Sequence, residues 1–195
     1  MTALPKPKMT LEEYFELDRN AEGRFEYFDG EVFELSGGTP QHSQLISKAT
    51  WLLGGNLYPK GCFMFSADVR LKVPALPPYR YADISALCGA PVYEEISNLP
   101  CLTNPVLIVE VLSESTEAFD RDGKFRGYKS IPSFLEYVLI AQKETRITKY
   151  LKQAERFWLQ SEYGAGEVVP LESLGCELEM NALYQGINFA SETGF

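Results

Sequence analysis

Apolar and polar positions change their period repeatedly along this chain, and the changes mark out its elements. Thr10-Leu11-Glu12-Glu13 has capping-box spacing and predicts a short helix through about Leu17. The aromatic-rich stretch from Phe25 to Leu35 contains Asp29-Gly30, a two-residue hairpin turn, and Ser36 to Pro40 reads as a loop. Leu45, Ile46, Ala49, Leu52 and Leu53 fall on one face of a helix from His42 to about Leu57, ended by Pro59 and Gly61. Phe63 to Val73 and Arg80 to Leu87 read as strands, separated by the proline-rich loop Pro74 to Pro78. Pro91 to Pro105 reads as loop or short helix. Val106 to Leu112 is a continuous apolar run broken by one acid, the pattern of a strand covered on both faces. A helix follows from near Thr116 to Tyr128, with Pro132 beyond its end. Leu135 to Ile140, Arg146 to Leu151 and Arg156 to Leu159 read as a strand meander. Glu167 to Leu171 is a candidate for one more strand, and Met180 to Leu183 for a terminal helical turn. The order predicts an α/β protein, a mixed sheet with helices packed against it, in one domain over 1–195.

The acid within the covered strand is Glu110. An ionised carboxylate there is costly unless it is paired, hydrogen-bonded or holding a metal. A buried salt bridge, or a carboxylate accepting from backbone N–H groups, would explain it without catalysis. Asp83, in Tyr81-Ala82-Asp83-Ile84-Ser85, is a second acid in what reads as mid-strand. Asp120, Lys124 and Tyr128 are four apart and share a helix face. The ordinary reading of Asp120 and Lys124 is an exposed i,i+4 salt bridge. The chemical reading joins Asp83 and Glu110 as oxygen ligands of a hard divalent ion such as Mg²⁺, with Lys124 orienting water or stabilising transition-state charge.

Composition narrows the function classes. The 195 residues carry a net charge of −9, which argues against coating nucleic acid by bulk electrostatics. The charge is uneven. From Arg121 to Arg156 nine basic residues face Asp122, Glu136, Glu144 and Glu155, and after Arg156 there is no Lys or Arg. A solvated helix and hairpin face is the ordinary explanation of these charges; the alternative is a basic surface near the suspected site, carrying Lys149 and Lys152, with the glutamates from Glu162 onward on the opposite side. No apolar run approaches the ~20 residues of a membrane span, and residues 1–8 lack an apolar signal core; the expectation is a cytoplasmic protein with no membrane partner. Cys62, Cys88, Cys101 and Cys176 form no Cys-x-x-Cys pair, which argues against a zinc site, and read as buried small residues or free thiols. Trp51 and Trp158 read as core or dimer contacts. Gly37-Gly38 lacks the Lys-Ser or Lys-Thr of a phosphate loop.

The pieces also resemble, in order, a large bacterial family: the Uma-type restriction endonucleases, long labelled a domain of unknown function, within the PD-(D/E)XK nuclease superfamily. Phe25 to Val32 is similar to the family's Glu-then-Gly hairpin, and His42 opens the following helix. Ser66 to Leu71 resembles the next strand, and Ala82-Asp83-Ile84 stands where the family has Pro-Asp-Ile or Pro-Asp-Val. Pro105 to Ser113 resembles the Glu-Val-Leu-Ser strand. Ser115-Thr116, Asp120, Lys124 and Tyr128 match the helix pattern, and Leu135-Glu136-Tyr137 the strand after it. The likeness covers about residues 9–151. It implies a restriction-endonuclease-like fold and Mg²⁺- or Mn²⁺-dependent hydrolysis of DNA. It makes Asp83 and Glu110 the metal-binding acids and Glu26 a supporting acid near the metal or its waters. The superfamily's lysine position falls on Leu112, so Lys124 stands as its migrated replacement. The departures are Ala82 for the proline, Val138 for the tryptophan often found after Glu-Tyr, and Ala141-Gln142 for Asp-Pro.

Two function classes follow. One is a metal-dependent endonuclease, acting as a homodimer if both strands of a duplex are cut. The other is a catalytically silent protein that keeps the nuclease fold to bind DNA or protein. A hydrolase of small phosphorylated substrates has no positive feature. Convergence of Asp83, Glu110 and Lys124 on one cavity favours the enzyme. His42, the single histidine, could move a proton, touch a phosphate or cap its helix, and carries no catalytic assignment.

Overall fold

The computed structural model describes residues 8–28, 30–34, 38–75, 79–114 and 116–189. Helix α1 (Leu11–Asn20) begins at the expected capping box. The Thr10 hydroxyl accepts from the Glu13 N–H, and the Glu13 carboxylate accepts from the Thr10 N–H at 2.7 Å. Strands β1 (Phe25–Phe28) and β2 (Glu31–Glu34) pair antiparallel. Gly30, at φ +86°, takes the left-handed conformation that the turn requires; its predicted partner Asp29 lies outside the described residues, as do Ser36 and Gly37. Helix α2 (Pro40–Leu57) starts two residues before His42, because Thr39 supplies the N-cap and Pro40 the first turn.

The two long strands expected next are each broken. Phe63 to Val73 divides into β3 (Cys62–Ser66) and β4 (Arg70–Lys72), and Arg80 to Leu87 into β5 (Tyr79–Tyr81) and β6 (Ile84–Cys88). β5 belongs to a four-stranded sheet with β4 and the hairpin β7 (Tyr93–Ile96) and β8 (Leu99–Leu102). β6 belongs to a six-stranded sheet. The chain changes sheets at Ala82-Asp83, so Asp83 sits at a junction and not in mid-strand. The β7–β8 hairpin replaces the loop expected over Pro91 to Pro105. Its turn residues Ser97 and Asn98 both take positive φ, as a primed turn demands.

The large sheet has the order β12-β11-β10-β9-β6-β3, built with β9 (Leu107–Leu112), β10 (Glu136–Ala141), β11 (Ile147–Ala154) and β12 (Phe157–Tyr163). β9 and β10 run parallel and the other pairs antiparallel, so the sheet is mixed as expected. Every residue of β9 is buried, and successive side chains serve two cores. Val109 and Val111 pack with α2, with a second hairpin of β13 (Val168–Leu171) and β14 (Cys176–Glu179), and with α5 (Met180–Tyr184). Ile108 and Leu112 face the other way, against Phe125, Tyr128, Phe134 and Tyr137. That second face is covered by a continuous helical stretch: α3 (Glu117–Phe119), a π-helical turn (Asp120–Lys124) and α4 (Phe125–Tyr128).

Cys62 and Cys88 are register partners on β3 and β6 and are joined by a disulfide, whereas Cys101 and Cys176 are free thiols. Trp158 packs on Phe125 and Phe134, but Trp51 is 76% exposed and is no core residue. Lys149, expected on a basic surface, is not exposed. It is buried and bonds to Glu172 and the Pro170 carbonyl, with Glu136 at 3.3 Å. A glutamate from the acidic C-terminal part therefore neutralises the lysine it was expected to oppose.

Candidate active site

The sheet change at Ala82-Asp83 builds the site. Where β6 begins, Asp83 lies next to β9 near Glu110. The two acids are tied through each other's backbone: the Asp83 N–H donates to Glu110 Oε2 at 3.2 Å, and the Val111 N–H donates to Asp83 Oδ2 at 2.7 Å. Glu110 shares its sheet face with Ile108 and Leu112, the face that the α3–α4 stretch covers. From that stretch Lys124 donates to Glu110 Oε1 and to the Tyr81 carbonyl, both at 3.2 Å. The Tyr128 hydroxyl donates to the same Glu110 oxygen at 2.9 Å. Asp120, Lys124 and Tyr128 all point inward, so the exposed salt bridge considered for Asp120 and Lys124 is not what forms. Asp120 Oδ1 stands 3.4 Å from the ammonium as an ion pair without hydrogen-bond geometry and has no other hydrogen-bond partner; Oδ2 accepts from Thr116. A π-helical turn inside an α-helix often marks a functional site, and this one carries both Asp120 and Lys124.

Glu26 belongs to the lysine. One of its oxygens accepts from the Tyr81 N–H at 3.2 Å and lies 3.8 Å from Lys124 Nζ; the other is 3.6 Å from Arg80. Arg80 is buried, with its guanidinium 4.9 Å from the Phe119 ring centroid. Lys124 is thus held by three carboxylates, those of Glu110, Glu26 and Asp120. Burial disfavours its charged form, but those acids outweigh burial and raise its pKa well above the ordinary lysine value.

Glu110 is under the opposite stress. Burial, then the neighbouring Asp83, Asp120 and Glu26, push its pKa well above the usual carboxylate range despite Lys124. Glu26, Asp83, Glu110 and Asp120 face the buried cations Lys124 and Arg80, with the His42 imidazole as a further positive group when protonated. The donor set is all oxygen on Asp83 and Glu110 and has an excess of negative charge, which suits a hard divalent ion. Among the described residues no three His, Cys, Asp or Glu side chains form a metal cage of their own. A hard ion held there by two acids would need water to complete its coordination.

His42 is the residue that sequence reasoning left open. It does not cap α2, because Thr39 does. Its ring instead lies beside the acids, with Nε2 3.5 Å from Asp83 Oδ2. Burial opposes its charge, but Asp83 and Val111 outweigh it, and its pKa rises. Burial likewise raises the Asp83 pKa, and the His42 contact together with Lys124 and the Val111 N–H brings it below the ordinary value. The signal in the sequence was position: His42 lies at the start of a helix whose first turn borders the acids.

His42, Asp83, Glu110, Asp120 and Lys124 line the floor of an open cleft of about 1080 Å³. Its walls include the first turn of α2 and the β10–β11 turn, joined where the Thr39 hydroxyl donates to Gln142 at 2.8 Å.

Residues 11–182 match the family described as "Uma2: Putative restriction endonuclease". The chain belongs to the Uma2 family. Two relatives in Synechocystis sp. are similar along most of their length. The uncharacterized protein slr1290 is 31% identical over 185 residues, covering 95% of this chain and 96% of that one. The uncharacterized protein sll1609 is 32% identical over 154 residues, covering 79% and 86%. Among solved structures, one from Anabaena variabilis, described as "a putative nuclease belonging to DUF820", superposes with a TM-score of 0.71. The match covers 90% of this chain and 97% of that one at 19% identity, a likeness of fold. The mixed sheet flanked by helices is therefore a nuclease-type fold, as the sequence led us to expect. Among the described residues no helix is long and apolar enough to cross a membrane.

Proposed function

We propose that this Uma2 protein is a divalent-metal-dependent endonuclease of the PD-(D/E)XK type that hydrolyses phosphodiester bonds in DNA. The observation that carries the reading is the placement of Lys124. It comes from the helix that follows the Glu110 strand, yet its ammonium reaches Glu110 on the floor of the cleft that Asp83 lines. Asp83 and Glu110 would hold Mg²⁺ or Mn²⁺. Such an ion supplies positive charge to polarise a phosphodiester and to acidify the attacking water. The chain's own residues do the rest. Lys124, kept charged by Glu26, Glu110 and Asp120, offers its ammonium to the anionic transition state. Tyr128 and the two backbone N–H groups fix the carboxylates. Glu26 is a positioning residue for Lys124, one step back from the place beside the metal that the family resemblance implied for it. His42 orients Asp83.

A silent binding module would have no need of a buried lysine held by three acids at a cleft floor, where each buried charge costs free energy. The nuclease reading has the cell's DNA as substrate in the cytoplasm, and two copies of the chain could cut the two strands of a duplex. The test is incubation with supercoiled, linear and single-stranded DNA in Mg²⁺, Mn²⁺ or EDTA, alongside Asp83→Ala. Metal-dependent cleavage lost in the variant supports the proposal. Cleavage that persists in Asp83→Ala, or none by the wild type under any condition, sinks it.

A further inference from the structure

We infer that Arg24 and Lys143 are the phosphate clamps at the cleft mouth, and that Asp68 and Glu114 occupy those clamps until a nucleic-acid backbone displaces them. This rests on the nuclease reading and names the contacts by which the substrate would be held. Among the described residues, the cations lining the cleft are Arg24, Lys124, Lys143 and, when protonated, His42. Lys124 is buried on the floor and committed to three carboxylates, and His42 is committed to Asp83. That leaves Arg24, from the segment between α1 and β1, and Lys143, from the β10–β11 turn. Both are accessible: their side chains are 39% and 70% exposed.

Each rim cation is paired with an acid more exposed than itself. Arg24 Nη1 is 3.5 Å from Asp68, which is 81% exposed, and Lys143 Nζ is 2.7 Å from Glu114, which is 82% exposed. Exposed ion pairs of this kind contribute little to stability, so exchanging a carboxylate for a phosphate oxygen is cheap. Other cations are unsuited to the role. Lys149 and Arg70 are locked by Glu136, Glu172 and Asp18, and the exposed Arg126 and the half-buried Arg146 pair with Asp122 and Glu144 outside the cleft lining. On a chain with a net charge of −9, covering these rim cations with carboxylates disfavours stray polyanions. A backbone is admitted only where it can replace both acids at once.

The experiment is fluorescence anisotropy of labelled duplex and single-stranded oligonucleotides across a salt series, with Ca²⁺ in place of Mg²⁺. Arg24→Ala, Lys143→Ala and the double variant are compared with Arg126→Ala as an exposed control, and circular dichroism confirms folding. Each clamp removed should lower the slope of log K against log salt by about 0.9 on duplex and about 0.7 on single strands. Glu114→Gln and Asp68→Asn should each tighten binding by about fivefold at low salt, since one unit charge close to a phosphate is removed. If the wild type binds with a slope that the double variant leaves unchanged, or that Arg126→Ala lowers equally, the clamp assignment is wrong and the nuclease reading stands. If the wild type binds neither oligonucleotide at low salt and cuts no DNA, the nuclease reading itself fails, and the clamps with it.

Discussion

At the residue scale, one lysine balances three acids. Removing it leaves Glu26, Glu110 and Asp120 without their shared cation, and breaking a buried pair in this way costs about 3–5 kcal/mol. Lys124→Ala should therefore melt well below the wild type. Calorimetry with Mn²⁺ should still detect metal binding in this variant while cleavage disappears. Full cleavage by Lys124→Ala would reduce the lysine to a structural ion pair. Asp83→Ala should behave in the opposite sense, keeping its fold and losing Mn²⁺ binding, because one like charge beside Glu110 is gone. Equal Mn²⁺ affinity in that variant and the wild type would remove Asp83 from the metal site.

At the element scale, the short strand β5 sets where Lys124 can reach, through the Tyr81 carbonyl. β5 is itself held from α1. Asp18, buried, accepts from the hydroxyls of Tyr79 and Tyr81 and from Arg70 Nε at 2.8 Å. Asp18→Ala strands the Arg70 guanidinium and two hydroxyls, and should lower stability by about 3–5 kcal/mol; a change in melting temperature within error would show that the four-stranded sheet does not depend on this anchor. The hairpin β13–β14 is anchored in the same way, by Lys149. Burial alone would lower the Lys149 pKa, but Glu172 and Glu136 outweigh it and hold it above the ordinary lysine value. A raised folded pKa stabilises fully below the unfolded value and fades as pH rises through the folded one. The melting difference between wild type and Lys149→Met should therefore be steady from neutral pH to about pH 10 and shrink only beyond it. A difference that closes already near neutral pH would contradict the pairing.

At the scale of the whole molecule, the charge map is interleaved and not divided. Lys149 is neutralised from within, so the basic stretch from Arg121 to Arg156 offers no continuous docking face. Charge reversal at the half-buried Lys152 should change DNA affinity by less than about twofold at physiological salt, since a lone distant charge is screened beyond ~8 Å. A loss of tenfold or more would restore that surface as the docking face. Metal should couple to global stability too. Mn²⁺ at a hundredfold excess over its Kd should add about 2.7 kcal/mol, reversed by EDTA. An unchanged melting temperature in saturating Mn²⁺ would argue that the folded acids bind no ion.

Much of this protein was legible from its residue pattern, for local physical reasons. The capping box placed α1, the apolar period placed α2, and the covered run placed β9 with its one acid. The four-residue spacing put Asp120, Lys124 and Tyr128 on one face, since helix geometry depends on neighbours in the chain. The break at Ala82-Asp83 was not legible, because a strand that changes sheets keeps its period while its partners change. Nor was the burial of Lys149, whose partner Glu172 lies 23 residues away on another hairpin. His42 read equally well as a cap until the tertiary fold set it beside Asp83 and gave the cap to Thr39. Sequence determined which groups the chain carries and which short segments present them together. Only the tertiary structure decided which charges meet, because pairing across elements depends on distances that no local spacing encodes.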